Sequence, residues 1–102
     1  MCGIIGFLSP IPYQDNGQLI LNNMAKAIFH RGPDAQGISL LEEGYLGFAH
    51  RRLSIIDLSQ TGAQPMKSPS GRYTIIYNGE IYDFPAIRNE LEGLNFKFKG
   101  PS

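Results

Sequence analysis

The chain has 102 residues, 42% of them hydrophobic, and nine basic side chains against nine acidic ones, a formal net charge of zero. That length and composition suit one folded domain with a modest core. With no block of like charge and no apolar run near the ~20 residues that span a bilayer, nucleic acid and membrane are not expected partners.

Gly3–Leu8 is a short apolar run that reads as a buried strand at the very start of the chain. Pro10 and Pro12 break it. Asn16 is placed to cap a helix over 18–30, with Leu21, Met24, Ala25 and Ile28 on one face at helical spacing. Arg31-Gly32-Pro33-Asp34 stops that helix. Two strand-like stretches, 38–41 and 45–49, flank Glu42-Glu43-Gly44, which reads as a hairpin turn. Residues 53–58 form another apolar segment, and 59–70, rich in Ser, Gly, Pro and Gln, read as a loop. Residues 73–77 are β-branched and aromatic, hence strand, and Asn78-Gly79 is a turn. A short helix is expected over 85–91, with Asp83 near its start and Gly93 past its end, and 95–99 reads as a further strand. The order suggests an α+β fold with a mostly antiparallel sheet. Chain termini usually fray, so a strand that begins at residue 3 points to a terminus with a task.

The lone cysteine, Cys2, forbids an internal disulfide and suits a reducing compartment, and the N-terminus has no secretory signal, so a cytoplasmic location is expected. There is no His/Cys cluster with metal-ligand spacing, no P-loop and no GxGxxG; no metal is expected. Cys2 directly follows Met1. Removal of Met1 would leave thiol and free α-amine on one residue, a nucleophile with its own base. The small Gly3 would then let a substrate come close. Against this stands the plain reading of Cys2 as an inert buried thiol. In Arg51-Arg52-Leu53-Ser54-Ile55-Ile56-Asp57 a basic pair opens an apolar segment; an arginine there can clamp a carboxylate with two parallel hydrogen bonds, or the pair is a solvated edge. Tyr77-Asn78-Gly79-Glu80-Ile81-Tyr82 carries the strongest short hairpin signal, Asn-Gly between apolar residues. It also offers an oxyanion hole from the Asn78 side-chain amide and the Gly79 backbone N–H, with Glu80 free to face a cation. His30 is read as a helix-end residue with no catalytic role.

Taken together and in order, Met1-Cys2-Gly3, His30-Arg31-Gly32-Pro33-Asp34, Arg52-Leu53-Ser54-Ile55-Ile56-Asp57, Gly62-Ala63-Gln64-Pro65-Met66 and Asn78-Gly79-Glu80-Ile81-Tyr82 resemble the glutaminase domain of the asparagine-synthetase family of class II glutamine amidotransferases. The resemblance covers essentially the whole chain. It is closer to asparagine synthetase than to the glucosamine-phosphate, purine or glutamate synthases.

The resemblance implies an N-terminal-nucleophile hydrolase fold, a four-layer αββα sandwich. It implies Cys2 as nucleophile and its α-amine as general base. Arg52 would hold the α-carboxylate of glutamine, within a site formed by Arg52, Leu53, Ser54, Ile55, Ile56, Asn78, Gly79 and Glu80. Asn78 and Gly79 would form the oxyanion hole, and Glu80 would help hold the substrate amine. The family usually has Asn where this chain has Asp83, and either caps a helix. The family pattern continues beyond Ser102 with an aspartate that binds the substrate amine, followed by a synthase domain that uses ATP and Mg²⁺. Residues 1–102 are therefore read as an N-terminal part of the amidotransferase domain, inactive or nearly so in isolation and prone to self-association. Two other readings stay open: a glutaminase serving a different carboxylate acceptor, and an inactive binding or assembly module.

Overall fold

The computed structural model of the chain describes residues 2–53 and 62–100. A three-stranded antiparallel sheet forms its first half. β1 (Gly3–Leu8) and β2 (Ala35–Leu41) both pair with β3 (Leu46–Arg52), giving the order β1-β3-β2. The register sets Gly3 opposite Arg51, Ile4 opposite His50, and Gly37 opposite the same His50.

Alternation along these strands sorts the sheet into two faces. Ile5, Phe7, Ile38, Leu40 and Ala49 point to one face, where α1 (Gly17–Ala27) lays Leu21 and Ala25 against them. Leu21, Ala25 and Ala49 are fully buried and form the core. Burial of a leucine side chain contributes roughly 1.5–3 kcal/mol. Phe7 also meets Tyr13 edge-on at 5.7 Å, which ties the β1–α1 connection to the sheet. The far face carries Ile4, His50 and Arg52, and Cys2, one residue ahead of β1, continues that alternation.

On the far face the chain around Gln64 comes up against β2. At Gly37 an added Cβ would lie 1.9 Å from the Gln64 carbonyl oxygen, so only glycine allows this approach. From there a two-stranded ribbon follows, β4 (Met66–Lys67) with β5 (Thr74–Ile75). α2 (Phe84–Gly93) comes last.

Several expectations are met and several are corrected. β1 and the Glu42-Glu43-Gly44 hairpin lie where the sequence puts them, and both helices form, but α2 runs from Phe84 through Gly93, taking in the glycine expected past its end. Asn16 occupies the cap position of α1 without a side-chain cap bond. The turn before the helix already supplies an acceptor, because the Gly17 N–H donates to the Tyr13 carbonyl. The helix ends at Ala27, not at residue 30, and Phe29–Arg31 tighten into a 3₁₀ turn. The strand expected over 73–77 shortens to Thr74–Ile75, and its partner comes from within the expected loop. The tight turn from Ser68 to Tyr73 brings the two together, the Ser68 N–H donating to the Tyr73 carbonyl. Asn78-Gly79 makes a bend and no hairpin, because the following residues turn into α2, with the Phe84 N–H on the Ile81 carbonyl. Residues 95–99 are not a strand. Asn95, at φ 69°, ends α2 in a Schellman motif: the Phe96 N–H reaches the Leu91 carbonyl and the Asn95 N–H the Glu92 carbonyl. The apolar segment 53–58 lies outside the described residues beyond Leu53.

The observed architecture is thus α+β with antiparallel sheets. Among the described residues no helix is long and apolar enough to cross a membrane. α2 buries none of its residues, and its exposed Phe84 and Ile87 line one groove with the exposed Ile81 and Phe98. So contiguous an apolar surface promotes association. The purified 102-residue chain is expected to form dimers or larger species in light scattering or sedimentation, increasingly so with concentration. A monodisperse monomer at all concentrations would contradict this.

Candidate active site

Cys2, Arg52 and Leu53 meet at the edge of the three-stranded sheet where β1 begins and β3 ends. Cys2 is half-buried there. Its Sγ accepts the Leu53 N–H at 3.4 Å, and the thiol is 3.8 Å from the Leu53 carbonyl oxygen. Because Gly3 pairs with Arg51, Cys2 stands level with Arg52, the next residue of β3. The antiparallel register thereby joins two residues fifty positions apart in sequence.

Gly3 does not leave room for a substrate, contrary to the sequence reading. A Cβ there would come within 2.8 Å of Ile28 and 3.1 Å of Arg31, so the protein itself fills the space beside Gly3. The turn from His30 to Asp34 packs against both strands. The Arg51 Nε donates to the Gly32 carbonyl at 3.0 Å, its Nη1 donates to Gln36 Oε1 at 2.5 Å, and its guanidinium lies over the Phe29 ring at 4.7 Å. Arg51, 7% exposed, is therefore a structural arginine that anchors this turn. Arg52, on the opposite face, is half-buried, and its backbone carbonyl accepts the Asp34 N–H at 3.0 Å.

His50 shares the far face with Arg52 and is 2% exposed. Burial pushes its pKa down, a backbone hydrogen bond to Tyr77 pulls it up, and the Arg52 charge pushes it down again, with a net lowering. The imidazole is held neutral at neutral pH. The sequence reading passed over His50, and a histidine flanked by apolar residues and arginines carries no signal of such a contact.

Asn78, Gly79 and Glu80 follow Tyr77 on an exposed stretch. Gly79 and Glu80 line a groove of about 480 Å³, whose far wall is Phe84, Ile87 and Leu91 of α2. Among the described residues no hydrogen bond joins Asn78, Gly79 or Glu80 to Cys2. The structure thus brings together Cys2, Arg52 and Leu53, and links the Asn78–Glu80 stretch to them through Tyr77 and His50. Ser54, Ile55 and Ile56 lie outside the described residues. Among the described residues no three His, Cys, Asp or Glu side chains are grouped to hold a metal ion.

The chain is 38% identical to an asparagine synthetase (glutamine-hydrolyzing) of Bacillus subtilis strain 168, over all of the chain and 16% of that protein. It is 39% identical to an amidase of Gibberella zeae, again over all of the chain and 16% of the relative. An asparagine synthetase of Arabidopsis thaliana is 33% identical over 95% of the chain and 16% of its own length. The chain thus spans about one-sixth of the length of these relatives. No solved structure matches it significantly. The family described as a glutamine amidotransferase domain matches residues 1–102. Over its whole length, the chain belongs to the glutamine amidotransferase domain family.

Proposed function

We propose that this chain carries the glutaminase chemistry of a larger, asparagine-synthetase-type amidotransferase. The observation that carries the reading is the placement of Cys2 level with Arg52 on one face of the sheet, its sulfur fixed by the Leu53 backbone. With Met1 removed, the Cys2 α-amine takes the thiol proton. The thiolate then attacks the side-chain amide carbon of glutamine. The oxyanion is met by the Asn78 amide and the Gly79 N–H. The protonated amine gives its proton to the departing ammonia, and water hydrolyses the glutamyl thioester. Arg52 holds the substrate carboxylate, with the backbone of Leu53, Ser54, Ile55 and Ile56 beside it, and Glu80 holds the substrate amine. An N-terminal-nucleophile αββα sandwich suits this reading, and the observed antiparallel α+β arrangement is consistent with it.

The ammonia then passes to an ATP- and Mg²⁺-dependent synthase domain that amidates aspartate. That domain lies outside these residues, and no step assigned to this chain runs through nucleotide or metal. The test is ammonia release from glutamine by the full-length protein, with and without aspartate and ATP. Glutamine hydrolysis coupled to asparagine formation supports the reading; no hydrolysis under either condition refutes it. The relative described as an amidase favours a second reading, a glutaminase serving another carboxylate acceptor. Hydrolysis stimulated by ATP but not by aspartate would select it.

Arg52→Lys is expected to raise the KM for glutamine roughly tenfold to a hundredfold and leave kcat within about threefold. A carboxylate clamp acts equally in ground and transition states, so its loss appears mainly in KM. Each charge-assisted hydrogen bond contributes about 1.5–3 kcal/mol, and lysine cannot reproduce the paired geometry. An unchanged KM would move the carboxylate site elsewhere. Arg51 is a poor substitute, being committed to Gly32, Gln36 and Phe29.

A further inference from the structure

Gln64, in a motif with no role assigned so far, makes the shortest contact to the segment that carries Asn78 and Gly79. Its Oε1 accepts the Tyr77 N–H at 2.6 Å. Gln64 is itself pinned, because its backbone carbonyl is seated against Gly37 of β2, where no side chain fits. Tyr77 passes the constraint on. Its ring folds back over Gly79, so that a Cβ at 79 would lie 2.8 Å from the Tyr77 hydroxyl and 2.9 Å from the ring carbon that bears it. The Tyr77 backbone also bears on the buried His50, whose pKa it pulls up against the lowering by burial. Tyr77 is thus held at its backbone N–H by Gln64, immediately before the two proposed oxyanion donors. His50 in turn stands next to Arg52 in β3 and opposite Ile4 in β1.

We propose that Gln64 is a positioning residue for glutamine hydrolysis: it docks Tyr77 on the nucleophile-bearing sheet and so aims the Asn78 and Gly79 donors at the substrate oxygen. The inference rests on the assignment of Asn78 and Gly79 as oxyanion donors. The physical reason is that such donors act on charge that exists only in the transition state and must be aligned before it forms. A shift of about 1 Å in a supporting contact can cost on the order of a hundredfold in rate. Ground-state binding of glutamine through Arg52 and Glu80 does not depend on that alignment.

The experiment compares Gln64→Met, Gln64→Glu and Asn78→Ala with the parent in the full-length protein. Methionine keeps the length of the side chain and loses the acceptor; glutamate keeps an oxygen at the same position. Gln64→Met is expected to lower kcat for glutamine roughly tenfold to a hundredfold, with KM within about threefold. Gln64→Glu is expected to retain kcat within about threefold. In parallel, the Tyr77 amide is expected to exchange its hydrogen faster in Gln64→Met than in the parent. Parental kcat in Gln64→Met would overturn the proposal, and so would equal damage in both Gln64 variants. If Asn78→Ala is impaired while Gln64→Met is not, only the positioning role falls. If Asn78→Ala hydrolyses glutamine at the parental rate, the oxyanion assignment fails and the proposal falls with it.

Discussion

Cys2→Ala is expected to abolish glutamine-dependent product formation in the full-length protein while synthesis from free ammonia continues. Cys2 is the only cysteine in the chain, so no second thiol can replace it. Removing the nucleophile of a hydrolase costs on the order of 10⁶ in kcat. Alanine leaves the Cys2 backbone in place and, among the described residues, removes the two sulfur contacts to Leu53, at 3.4 and 3.8 Å. Sulfur is a weak hydrogen-bond partner, so the fold should lose little. Ammonia release from glutamine, ammonia-dependent synthesis and thermal melting measured together separate a chemical loss from a folding loss. Parental ammonia release from glutamine in the alanine variant would remove Cys2 from the mechanism.

A sample that retains Met1 is expected to be as inactive as the alanine variant, although every catalytic side chain is present. The α-amine of Cys2 would then be a peptide nitrogen, whose lone pair is delocalised into the neighbouring carbonyl and cannot take a proton. No other base comes from residue 2 itself. His50 does not stand in for it, because it is buried and engaged with the Tyr77 backbone. Intact-mass measurement assigns the state of the N-terminus, and a glutaminase assay on the same sample tests the consequence. Normal hydrolysis by a uniformly Met1-retaining protein would show that the amine is not the base.

Local pattern determined much of this protein. The apolar run of β1, the helical spacing of Leu21 and Ala25, the Glu42-Glu43-Gly44 turn and the proline near the start of α2 each act within a few residues of themselves, so they are legible in order along the chain. The residue types proposed to carry the chemistry, Cys2, Arg52, Asn78, Gly79 and Glu80, were legible as types, in motifs whose order resembles that of the family. Tertiary structure decided what those residues stand beside. Two adjacent arginines look alike in sequence, yet strand alternation sends Arg51 into the turn that follows α1 and Arg52 to the face that holds Cys2. Asn-Gly flanked by apolar residues reads as a hairpin, yet no partner strand follows and the chain enters α2. Gly3 and Gly37 are small because other parts of the chain occupy their space. Gln64, which holds the Tyr77 backbone, and the buried His50 have no local mark at all. Propensity and periodicity register only neighbours a few positions apart, whereas Cys2 with Leu53, Gly37 with Gln64 and His50 with Tyr77 meet across long separations, fixed by register and close packing that exist only once the sheet has formed.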